Sequence, residues 1–155
     1  MVWKPEVTVA AVVRRDDRYL TVRERVEGRI MLNQPAGHLE HGETLLQAVK
    51  REVLEETAWT FKPRFLIGVY LYRQPEVTYL RFCFGGDCGE FHAGRTLDDG
   101  IIEALWMTRD ELQNNEDSLR TPLVLHCVDD FLAGHAHPLE ILNHWPVPGG
   151  ARGRR

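Results

Sequence analysis

Between Gly37 and Trp59 this 155-residue chain reads GHLEHGETLLQAVKREVLEETAW. Glutamates stand at positions 40, 43, 52, 55 and 56, and the last three fall at i, i+3 and i+4. That spacing puts Glu52, Glu55 and Glu56 on one face of a helix. Each close pair of like charges there costs on the order of a few kcal/mol at an effective dielectric of ~20. Thr44 is a good N-cap and Gln47, three residues on, completes a capping box. Leu46, Val49, Val53 and Thr57 line the stripe that faces the core. The acids therefore sit near the helix C-terminus, where the macrodipole disfavours negative charge. A run of acids on a helix is usually a solvated surface. Two local rules broken in one place mark a functional surface instead, and a cation seated on it relieves both.

The chain around this helix supplies strands. Val7–Val13 is β-branched and apolar and reads as a buried strand. Arg14–Arg18 is a turn, and Tyr19–Val26 returns as a partly alternating strand. Glu27-Gly28 turns into a short strand over Arg29–Leu32. Asn33–Gly37, with Pro35 and Gly37, reads as a shaped loop. After the helix, Lys62-Pro63 closes a connection. Phe65–Arg73 and Val77–Gly85 form a hairpin around Gln74-Pro75-Glu76. The Gly- and Asp-rich segment 85–100 reads as a mobile loop, and Ile101–Met107 as another strand. Thr108–Leu112 is a capped helical turn. Thr121-Pro122 opens a second helix that Gly134 ends, and Pro138–Trp145 is a short closing segment. This order describes a single α/β (α+β) domain over 1–155, with its core at about 7–134.

A net charge of −4 gives no general attraction to nucleic acid or to an anionic membrane. No apolar run approaches the ~20 residues of a membrane helix, and charges at Lys4, Glu6, Arg14 and Asp16 interrupt any signal-peptide pattern. Cys83, Cys88 and Cys127 are odd in number and make no CxxC pair, which suits a reducing, cytoplasmic setting. The basic tail, Arg152, Arg154 and Arg155, reads as a frayed terminus. Monomer and dimer are both open.

The stretch from Gly37 to Trp59 also resembles the Nudix box: G, five residues, E, seven residues, then R-E-U-x-E-E-x-G-U, with U bulky and apolar. Gly37, Glu43, Arg51, Glu52, Val53, Glu55, Glu56 and Trp59 match it, and Ala58 stands in place of the second Gly. The words NQPAGHLE, YLRF and LRTPLV resemble the NudJ-type bacterial phosphatases within that family. The resemblance implies an α/β/α sandwich with a central mixed sheet and the box as loop-helix-loop. It implies metal ligands at Glu52, Glu55, Glu56 and the Gly37 carbonyl, with Glu52 doubling as general base. It makes Glu43 and Arg51 an outer pair that orients the acids. Ala58 would cost about 1 kcal/mol if the family's left-handed angle is kept there.

Carboxylates without a neighbouring cysteine suit a hard cation, Mg²⁺ with Mn²⁺ as a substitute, rather than Zn²⁺. The chemistry that fits is attack of water on a phosphoric anhydride, with a carboxylate taking the proton. The resemblance implies small nucleoside di- and triphosphates and thiamine-type pyrophosphates as substrates. An ADP-ribose or nucleotide-sugar pyrophosphatase is the alternative within enzymes, and a non-catalytic nucleotide-sensing module the alternative outside them. Sensors lose box acids, and this chain keeps them. Outside the box, Arg23 and Arg81 either hold phosphate or make ordinary surface pairs. Glu103 lies on a strand where some Nudix enzymes place an extra metal ligand. His38 and His41 read as polar loop residues near substrate; His126, His135, His137 and His144 as surface or capping groups. Trp3, Trp59, Trp106 and Trp145 read as core or rim packing, and Tyr70 or Tyr72 is open to stacking on a base.

Overall fold

The computed structural model of the protein describes residues 2–146; the basic tail lies outside them. Its strands are β1 (Glu6–Arg15), β2 (Arg18–Val26), β3 (Arg29–Asn33), β4 (Ala36–His38), β5 (Trp59–Arg73), β6 (Thr78–Phe91) and β7 (Ile101–Thr108). The helices are α1 (Leu45–Thr57), α2 (Arg109–Asn114) and α3 (Leu123–Leu132). The strands order as β3-β2-β1-β6-β5, with β4 also on β1 and β7 also on β2. The pairing of β1 with β6 is parallel, and the other strand pairs are antiparallel, so the sheet is mixed.

β1 is buried on both faces, as a central strand covered on each side must be. Its alternation sends Val9, Ala11 and Val13 to one side, where they meet Ala48, Val49 and Val53 of α1. Ala10 and Val12 go to the other, where they meet Val124, Cys127 and Val128 of α3 and Leu112 of α2. The result is a sheet between helices, with one apolar core on each face. Leu139 and Leu142 add to the α1 side, and His137 bridges to Leu66 of β5 through backbone hydrogen bonds of 2.8 and 2.9 Å. Packing therefore runs past Gly134. No helix among the described residues is long and apolar enough to cross a membrane.

Three segments differ from the sequence expectation. The loop expected over Asn33–Gly37 contains part of β4, whose Gly37 pairs with Val9. Pro35, which has no N–H to give, uses its carbonyl to accept from Ala11 at 3.0 Å. Lys62-Pro63 lies inside β5, at one of three register shifts in that strand; a bulge is where a strand tolerates proline. The loop expected over 85–100 is strand as far as Phe91. The glycines of its strand part answer close approach, whereas Gly100 beyond it has a positive φ of 89°. A Cβ on Gly85 would strike the Phe65 ring, one on Gly86 the Lys62 carbonyl, and one on Gly89 would lie 2.6 Å from Thr60 Oγ1.

Candidate active site

α1 forms as its sequence dictates. Thr44 Oγ1 accepts from the Gln47 amide at 3.1 Å, and Gln47 Oε1 accepts from the Thr44 amide at 2.8 Å. His144 adds to this end, its Nε2 accepting from Leu45 N–H at 3.3 Å. At the other end Ala58 is left-handed at φ 65° and donates its N–H to the Leu54 carbonyl at 3.0 Å. The family's angle is kept without the family's glycine.

The buried stripe is Ala48, Val49, Val53 and Thr57, with Leu46 half-buried beside it. Glu52 is buried with them although it carries a charge-bearing group, which core positions exclude unless the group is used. Gly37 of β4 lies directly against it: a Cβ there would overlap the Glu52 carboxylate. Gly37 has no positive φ. Close packing of strand on carboxylate, not an unusual backbone angle, requires the glycine.

Arg51 gathers the remaining acids. Its guanidinium donates twice to Glu43, at 3.0 and 2.7 Å, and through Nη1 to Glu52 at 3.0 Å and Glu55 at 3.1 Å. It also donates to the His38 carbonyl at 3.0 Å and lies 3.5 Å from Glu40. One side chain thus ties the 38–43 loop to the acid face of α1 and holds those acids in register. The Arg51 hydrogen bond is the main cause that keeps the Glu43 carboxyl below its ordinary range, and Glu43 in turn is the main cause that raises Arg51.

The other acids move the opposite way. Burial pushes Glu52 up to about 7, against the pull of Arg51. Burial pushes Glu56 up to about 9, although the Ala36 N–H donates to its Oε1 at 3.0 Å. Asp98 is also raised, by burial and then by Glu55. Burial is the first cause in each case, and the neighbouring acids add to it.

Asp98 is a residue that sequence reading missed. Glu52, Glu55 and Asp98 bring carboxylate oxygens within 4.8 Å of one another. Asp98 arrives from the segment after β6, fastened when its N–H donates to the Glu55 carbonyl at 3.0 Å. Its only sequence signal is the Asp98-Asp99-Gly100 run before β7. Glu56, with Glu52, lines a cavity of about 440 Å³. Thr8, Glu24, Asn33, Gly37, Tyr72, Tyr79, Arg81 and Arg120 line that cavity too. Its volume suits a small molecule. Glu52 is shared between the oxygen cluster and the cavity wall. All-oxygen donors with surplus negative charge fit a hard divalent cation in kind and in charge.

The residues singled out beyond the box divide. Arg23 and Glu103 pair with each other across β2 and β7, half-exposed, and neither lines the cavity. Arg81 lines it and is buried. His38, exposed and 3.1 Å from Glu6, lines it as well, whereas the exposed His41 does not. Trp59 and Trp106 pack edge to face, with Arg15 over both rings, while Trp3 and Trp145 are exposed. Tyr72, not Tyr70, reaches the cavity; Tyr70 donates to Asp130 at 2.7 Å.

Known proteins place this arrangement. The NUDIX domain family model matches residues 4–126. The chain is 35% identical to Phosphatase NudJ of Escherichia coli, over 96% of this chain and 98% of that one. It is 49% identical to a NUDIX hydrolase from Nitrosomonas europaea, with a TM-score of 0.90 over 92% of this chain and 98% of that one. A MutT NUDIX hydrolase from Burkholderia pseudomallei shares the fold at 20% identity, with a TM-score of 0.70 over 83% and 98% of the two chains. Matched over most of its length by the family model and nearly end to end by a relative, the chain belongs to the Nudix family of hydrolases.

Proposed function

We propose that this hydrolase cleaves phosphoric anhydride bonds in small organic pyrophosphates, foremost nucleoside di- and triphosphates and thiamine-type pyrophosphates. Mg²⁺, or Mn²⁺ in its place, is held by Glu52, Glu55, Glu56 and the Gly37 carbonyl. The observation that carries this reading is the acid wall of α1 opening onto a cavity of about 440 Å³. The relationship to Phosphatase NudJ supports phosphate release as the outcome. We read residues 1–155 as one catalytic unit acting in the cytoplasm, with no nucleic-acid or membrane partner.

A divalent cation bound to those acids neutralises phosphate oxygens and makes water more acidic. The protein's own part is positional. Gly37 and Arg51 hold Glu52 at the cavity wall, where its carboxylate takes a proton from water as the water oxygen attacks phosphorus. The bond from phosphorus to the bridging oxygen breaks, and the departing phosphate carries away the electron pair. Arg51, which donates to Glu52 at 3.0 Å, keeps that carboxylate aimed. Glu56, gripped by the Ala36 amide, turns its remaining oxygen towards the cavity.

The test is a screen of purified protein with Mg²⁺ against nucleoside di- and triphosphates, thiamine pyrophosphate, ADP-ribose and nucleotide sugars, scoring orthophosphate and pyrophosphate release. Turnover should be highest on the simple di- and triphosphates and absent in excess EDTA. Preference for ADP-ribose or a nucleotide sugar would overturn the substrate assignment, and full turnover in EDTA the metal.

A further inference from the structure

Arg81 is a buried cation without an anion. It stands on β6, opposite Thr8 of β1 and Tyr70 of β5, and is 5% exposed. Among the described residues, no carboxylate lies within 4.0 Å of its guanidinium, and its buried Nε has no hydrogen-bond partner. Nearby acids are engaged elsewhere. Glu24 pairs with Arg120 at 2.9 Å. Asp130 accepts from Tyr70 and faces His126 and His135 at 3.5 and 3.7 Å. An unpaired buried charge is among the most costly things a fold can keep, and this one lies on the wall of the cavity that Glu52 and Glu56 share.

We propose that Arg81 is a substrate-positioning residue that grips a phosphate group of the substrate at the cavity wall. A neutral ring would satisfy its N–H groups but leave its charge uncompensated, whereas a phosphate does both, with two oxygens matched to the guanidinium fork. Hydroxyls stand ready beside it. Thr8 lines the cavity in register with Arg81. Thr121 Oγ1 already accepts from Leu123 N–H at 3.1 Å, so its own O–H is left to donate. The proposal rests on the reading of the acid wall only for where the scissile bond sits.

Binding in EDTA separates the two claims. Inorganic pyrophosphate is titrated calorimetrically into metal-free wild type, Arg81→Gln and Arg81→Lys. Wild type should bind it, Gln should weaken binding about 30-fold or more, and Lys should recover part of the loss. In the presence of Mg²⁺, KM should rise in Arg81→Gln by a larger factor than kcat falls. Ligand-free melting of Arg81→Gln should stay level or rise, because an unpaired buried charge has gone. Arg81→Met is the second variant if Gln does not fold. Equal pyrophosphate affinity in wild type and variant overturns the proposal, and so does wild type that binds none in EDTA. A nucleoside without phosphate that binds in an Arg81-dependent way makes Arg81 a ring reader and overturns it too. Failure of the metal reading shows elsewhere, as turnover in EDTA, and leaves this titration unaffected.

Discussion

Ala58 and Gly37 show what one residue can and cannot disclose. Ala58 holds a left-handed φ of 65° that an alanine adopts at a cost. Ala58→Gly should therefore stabilise the protein by about 0.5–1 kcal/mol, since the gain in the folded state exceeds the added freedom of the unfolded chain. Urea unfolding with an unchanged slope measures it; a lower midpoint would mean that the Ala58 methyl, buried here, contributes more than the strain costs. That angle was legible only through the resemblance, whose pattern has a glycine just past the helix. The reason for Gly37 was not. Its constraint is the Glu52 carboxylate 15 residues on, and no local rule records which side chain will press against a strand.

At the scale of the element, α1 was almost wholly readable. Its cap, its apolar stripe and its acid face all follow from spacing within 13 residues. Arg51 is the side chain on which that face depends. Arg51→Ala leaves Glu43, Glu52 and Glu55 without their shared donor, so stability should fall by about 2–3 kcal/mol and the rate should fall with it. Thermal melts beside initial rates check this, and a normal melt with a normal rate would remove Arg51 from the machinery.

The same face makes metal-free stability depend on pH. Glu52 and Glu56 bind protons more tightly folded, at about 7 and about 9, than a free glutamate does unfolded at 4.5. Their contribution is complete below the unfolded value and is lost as pH rises through the folded ones. Melting temperature in EDTA should therefore fall between about pH 5 and 9, and added Mg²⁺ should offset the fall most at the alkaline end. A metal-free melting temperature that rises across that window would contradict the burial assigned to these acids. Unlike α1, the β5–β6 ribbon misled, because Gly85, Gly86 and Gly89 look like a loop by composition. They are strand positions where side chains and backbone of the facing strand come too close for a Cβ.

For the whole molecule, the order of strands and helices reached an α+β domain, and the family resemblance supplied the mixed sheet between helices and the place of the acids in it. The composition of the cavity did not follow. Asn33, Tyr72, Tyr79 and Arg120 meet there because β1 runs parallel to β6 and α3 folds back over that face. Asp98 joins Glu52 and Glu55 from more than 40 residues away. Long-range pairing decides such meetings, and it leaves no periodicity to read. The central claim is that this assembled acid wall holds the cation that makes anhydride hydrolysis possible. Glu56→Gln keeps the shape of the side chain and removes its charge. The most direct measurement is the initial rate of phosphate release from one nucleoside diphosphate across a Mg²⁺ titration, for wild type and Glu56→Gln. Wild type should rise from no turnover in EDTA to saturation, and the variant, equally folded, should remain on the order of 100-fold or more below it at every concentration. A variant with the wild-type rate and the wild-type Mg²⁺ dependence would put the metal somewhere other than the face of α1.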